Sequence, residues 1–90
     1  MIEDNLTKIC RETEAMIKVD GILHIDESPD YEVLEKVPVF KHGSTLFIEG
    51  MKNPMNCVGF IYLPFHITGE AKVSRLNKIL NALNSPLAFH

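Results

Sequence analysis

Tryptophan is absent from this chain, and five phenylalanines and two tyrosines make up the whole aromatic complement of its 90 residues. A core built from such a sequence is mostly aliphatic. Cysteine is equally scarce. Cys10 and Cys57 stand far apart, which fits neither a disulfide framework nor a metal-binding cysteine motif. Both read as core positions, where a free thiol behaves as a small apolar group, and that usage suits a reducing compartment. No apolar run approaches the roughly 20 residues that a membrane-crossing helix needs. No secretory apolar segment follows the opening Met-Ile-Glu-Asp-Asn. The expectation is a cytoplasmic protein with no membrane association. Clustered glycine is missing too: the glycines stand singly at 21, 43, 50, 59 and 69, which excludes a glycine loop that cradles phosphate.

What is present is ordinary globular composition, 46% hydrophobic and 23% charged, enough apolar content to argue against disorder. The length is that of one domain, residues 1–90, with an apolar tail over 84–90. The net charge of −3 conceals a division. Residues 1–49 carry eleven acids and five bases, a balance of −6, whereas residues 50–90 set Glu70 against Lys52, Lys72, Arg75 and Lys78, a balance of +3. Such a split can orient a partner or a second copy of the chain.

Ile2, Leu6, Ile9, Thr13 and Met16 follow the spacing of one helical face, so the periodicity predicts a helix over about Glu3–Ile17. Asp20-Gly21 reads in two ways, as the region after that helix or as a tight turn joining Met16–Val19 to Ile22–Ile25. The helix ending before Asp20 is the favoured reading. Strands are expected at Ile22–Asp26, Tyr31–Phe40, Thr45–Glu49 and Cys57–Leu63, the second carrying Pro38 and therefore at a sheet edge or a bulge. Gly43 supplies the positive φ of the turn before Thr45. Cys57–Leu63 contains no charge and is apolar on both faces, the mark of a central strand covered twice. Its alternation places Cys57, Gly59, Ile61 and Leu63 on one face, with Val58, Phe60 and Tyr62 on the other. Thr68 precedes a second helix ending near Leu83, with Val73, Leu76, Leu80 and Leu83 as its apolar seam and Ile79 beside it. The fold class expected is α+β: a four-stranded antiparallel meander between an N-terminal and a C-terminal helix (α-β-β-β-β-α), both helices on one face of the sheet.

Candidate chemistry is sparse. No two of His24, His42, His66 and His90 stand at helical metal-ligand spacing, and none joins a cysteine cluster. His24 and Asp26 share a strand face, an arrangement that more often belongs to a half-exposed strand than to an acid–base pair. Cys57 opens an apolar strand, where desolvation opposes thiolate formation. Ser44 lacks the strand-turn-helix setting of an activated serine. Neither a catalytic residue nor a metal or cofactor ligand is assigned, and the expectation is a protein that is not an enzyme.

Two surfaces remain. Phe47, Val58, Phe60 and Tyr62 face away from the helices, and Met51 and Met55 flank the adjoining loop; an apolar patch of that size usually marks a contact surface. The alternative is that Leu87 and Phe89 of the tail cover it. Lys72, Arg75 and Lys78 form a basic face on the second helix. An α-β-β-β-α core is the plan of the double-stranded-RNA-binding domain. Over residues 31–83, Tyr31-Glu32-Val33-Leu34-Glu35-Lys36 with His42 and the strand around Phe47 resembles that family's first hairpin. The family's lysine-rich start of the last helix is replaced by Gly69-Glu70-Ala71-Lys72-Val73, so the resemblance implies duplex-RNA binding without the residues that dominate it. The leading expectation is a small non-enzymatic module (adaptor, regulator or inhibitor) that binds another protein or a second copy of itself. RNA binding is the first alternative. A small-molecule site using His24, Tyr62 and His66 is the second.

Overall fold

A computed structural model describes residues 5–19, 22–25, 33–48 and 56–85, with the backbone alone for 22–25. Helix α1 covers Asn5–Thr13 and buries Leu6, Ile9, Cys10 and Thr13. It stops well before Ile17, contrary to the periodicity, because Glu14 takes a left-handed conformation (φ 59°). The Ala15 N–H then donates to the Cys10 carbonyl at 2.9 Å, and the Glu14 N–H to the Arg11 carbonyl at 3.4 Å. This is the Schellman closure of a helix, with glutamate where glycine is usual and with Ala15 and Cys10 both in the core. The Thr13 hydroxyl also donates to the Ile9 carbonyl at 2.5 Å within the last turn.

Past this stop, Met16–Val19 is strand β1, paired antiparallel with β2 (Ile22–Ile25) in the register Met16↔Ile25 to Val19↔Ile22. The hairpin reading is therefore the realised one, and Asp20 and Gly21 lie outside the described residues. Ile17 and Val19 are β-branched and buried while Lys18 between them is exposed, the period of a half-covered strand. The apolar spacing that extends α1 to Met16 in a helical reading serves equally well as alternation.

Strands β3 (Leu34–His42), β4 (Thr45–Phe47) and β5 (Cys57–Pro64) and helix α2 (Gly69–Leu83) complete the chain. The α+β class holds, with a helix at each end and an antiparallel sheet between. The sheet has five strands instead of four, because of β1, and its order β2-β1-β5-β3-β4 replaces the simple meander. A meander would have left Cys57–Leu63 at an edge. Its apolar character on both faces is satisfied only between two strands, and β5 indeed pairs with β1 on one side and β3 on the other.

Both helices contribute to one core with the sheet face bearing Ile17, Val19, Val39, Ile61 and Leu63. On α2 the inward residues are Leu76, Ile79, Ala82 and Leu83. Val73, expected in that seam, is 58% exposed, and Ala82 lies inward in its stead. Thr68 occupies the position before α2 but makes no side-chain cap bond. Between Val39 and Phe40 the β3–β5 register slips, so that Val39 opposes Gly59 while Phe40 opposes Cys57. This bulge breaks the alternation at Val58. Cys57 is consequently only half-buried and opposite Phe40, and is not a core residue beside Gly59.

The β3–β4 edge is protected twice. Pro38 has no ladder partner on its outer side, since β4 pairs only with Phe40–His42. On β4 the Leu46 N–H donates to Asn84 Oδ1 at 2.8 Å, and Asn84 Nδ2 donates to the Leu46 carbonyl at 3.0 Å. The carboxamide of Asn84, just past α2, thus takes the place of another strand. Replacement of Asn84 with alanine is expected to cost about 1–3 kcal/mol, because both groups of Leu46 lose a partner together. Amide hydrogen exchange should show the Leu46 N–H losing protection beyond the global change; an unchanged Leu46 rate would refute the edge-blocking role.

Candidate interaction face

The face of the sheet turned away from the helices is laid out by the ladder register. On the central strand, Phe60 and Tyr62 project from alternate positions, both half-buried, with ring centroids 6.3 Å apart and planes tilted by 53°. Phe60 lies between Lys18 of β1 and Pro38 of β3; Tyr62 lies between Met16 and Lys36. Lys18, Lys36 and Pro38 are exposed, whereas Met16 is buried. The Lys36 ammonium sits 3.9 Å from the centroid of the Phe60 ring, a cation–π contact across the strands. A depression of about 410 Å³ opens here, lined among the described residues by Lys18, Cys57, Val58, Gly59, Phe60 and Tyr62.

Of the residues expected to form a contact surface, Phe60, Tyr62 and Val58 are therefore brought together. Val58, at the bulge, also packs partly against the core. Phe47 is not among them: expected to face away from the helices, it instead borders a groove with Val73, Leu76 and Leu80 of α2, and it stacks on Phe40 at 5.8 Å between centroids. Met51 and Met55 lie outside the described residues. Sequence reasoning overlooked Lys18 and Lys36. The only signal for them was their alternation with buried neighbours, and reading it required knowing that β1 and β3 both flank β5.

The basic face of α2 is engaged within the fold. Lys72 Nζ is 2.6 Å from Glu35 Oε1, Lys78 Nζ is 2.6 Å from Glu12 Oε2, and Arg75 Nη2 is 3.7 Å from Glu14 Oε1. His66 Nε2 stands 3.9 Å from the second oxygen of Glu14, on a side chain 72% exposed. Each pair joins an acid of the first half of the chain to a base of the second. The charge division seen in the sequence thus becomes complementarity between α2 and the elements beside it. The hydrogen bond from Lys78 holds the Glu12 carboxyl below its ordinary value. The pairs range from the exposed Lys78–Glu12 to the partly buried Lys72–Glu35, and solvent screening leaves the exposed ones little net stabilisation.

Tyr62 and His66 do not share a pocket. Tyr62 lines the depression on the open face, while His66 stands beside Glu14. The side chain of His24 is outside the described residues. Among the described residues no group of three histidine, cysteine, aspartate or glutamate side chains is placed to hold a metal ion. No helix among them is long and apolar enough to cross a membrane. No protein-family model, curated protein or solved structure matches the chain.

Proposed function

We propose that the chain is a small, non-enzymatic interaction module that binds another protein through the open face of its sheet. The observation that carries this reading is the half-exposed Phe60–Tyr62 pair at the centre of that face, on a rigid strand hydrogen-bonded on both sides. Aromatic side chains set in the middle of a contact patch and ringed by polar groups supply most of the binding energy of protein interfaces. A central strand presents them without the ordering cost of a loop. Duplex-RNA binding gains no such support, since Lys72, Arg75 and Lys78 each have a carboxylate partner.

Replacement of Phe60 with aspartate tests the reading. The variant is expected to keep the far-UV circular dichroism of the parent and to lose at least about 2 kcal/mol of binding, in the range of interface anchors. Sedimentation across a concentration series reports whether the partner is a second copy. Affinity capture from the protein's own cells, with parent and variant as paired baits, reports a different partner. Association that survives the substitution in a folded variant refutes the face.

A further inference from the structure

Outside the core lie a groove between β4 and α2, a cluster of Glu14, His66 and Arg75, and two lysines on the open face. The groove has no feature that selects an occupant. The cluster holds Glu14 at 3.9 Å from His66 and 3.7 Å from Arg75, whose buried Nη1 has no hydrogen-bond partner, and nothing beside that nitrogen selects a ligand.

Four acidic residues occur among the described residues: Glu12, Glu14, Glu35 and Glu70. Three of them pair with bases, and all four pairs, two of them on Glu14, are made with α2 or the turn preceding it. Glu70 is on α2 itself. The open face carries Lys18 and Lys36 and, among the described residues, no acid. Both ammonium groups flank Phe60, one directly across the ladder and one over the ring. We propose that the segment this face binds is an acidic stretch of protein, with carboxylates meeting Lys18 and Lys36 and an apolar side chain between them on Phe60 and Tyr62. The inference rests on the reading of the face as a protein-binding surface.

The arrangement favours carboxylates over a single-stranded nucleic acid. Affinity for a phosphate chain grows with the number of phosphates neutralised, and two lysines on a chain of net charge −3 release few counterions. For a protein segment, two flanking charges serve selection and orientation around an apolar anchor.

The test is selection of random ten-residue peptides displayed on phage against the immobilised full chain, after removal of those that also bind the Phe60→Asp variant. The retained peptides are expected to be enriched in aspartate and glutamate over the unselected library. They should bind a Lys18→Glu/Lys36→Glu double variant roughly tenfold more weakly or worse, since attraction becomes repulsion at both positions. That double variant, checked for fold by circular dichroism, should itself select lysine and arginine. Peptides that depend on Phe60 yet show no acidic excess, or that bind the double variant undiminished, overturn the inference and leave the interaction face standing. Absence of any Phe60-dependent peptide overturns both. Retention of oligothymidylate that the double variant abolishes assigns the lysines to nucleic acid instead and overturns the acidic segment.

Discussion

Alanine in place of Gly59 is expected to destabilise the protein more than any other single methyl group added to the sheet. A Cβ built on Gly59 falls 2.6 Å from the Val19 Cα and 2.8 Å from the Lys18 carbonyl carbon, and closer still to the Lys18 carbonyl oxygen. All three atoms are backbone. A clash with the far end of a side chain is relieved by a rotamer change, but here the neighbour is β1, held in its ladder with β2. Retreat of β5 in the other direction is blocked by β3, where Val39 opposes the same glycine. Overpacking in a well-filled core costs about 1–3 kcal/mol and occasionally more. With backbone on both sides, the upper end, about 3 kcal/mol or beyond, is expected. At this chain length each kcal/mol moves the melting temperature by roughly 4–8 °C. Thermal unfolding followed by circular dichroism decides it. A midpoint within a few degrees of the parent would show that β1 and β5 are not packed as closely at Gly59 as described.

The second large effect belongs to Ile61. Its side chain is fully buried and lies across the ladder from Ile17 on one side and Val37 on the other, beneath both helices. Truncation to alanine removes three carbons from a site with rigid strands around it, so the cavity collapses little. A loss of about 2–5 kcal/mol is expected, against about 0.5–1.5 kcal/mol for valine. Set beside total stabilities of about 5–15 kcal/mol for domains in general, the alanine variant stands close to unfolding. The adjacent residue supplies the control. Phe60 is the larger side chain, yet it points to the open face, so truncation there is expected to cost less than Ile61→Ala in urea denaturation while acting on binding. The reverse order of stabilities would mean that Phe60 is the core residue and that the proposed contact face is covered by the chain itself.

These two neighbours show how far the residues alone carried the reading. That Cys57–Leu63 is central, and that Ile61 and Phe60 belong to opposite faces, follows from the absence of charge and from strict alternation. Both are local properties of an extended chain. The second helix and the turn at Gly43 were legible for the same reason. The end of α1 was not. Thr13 and Glu14 carry no stop signal, and Met16 satisfies a helical period and a strand period equally, so only the pairing of β1 with β2 and β5 decides between them.

The strand order, the Gly59 contact, the edge bonds of Asn84 and the placement of Lys18 and Lys36 around Phe60 all join residues that are distant along the chain. Their positions depend on which strands are neighbours, and local periodicity holds no information about that. The charge division is the clearest case. The sequence determined that one half of the chain is acidic and the other basic. Only the tertiary structure decided that Glu12, Glu14 and Glu35 meet Lys78, Arg75 and Lys72 within the molecule, because packing α2 against α1 and β3 brings those charges within about 4 Å of one another. Lys18 and Lys36 stand on the opposite face, beside Phe60.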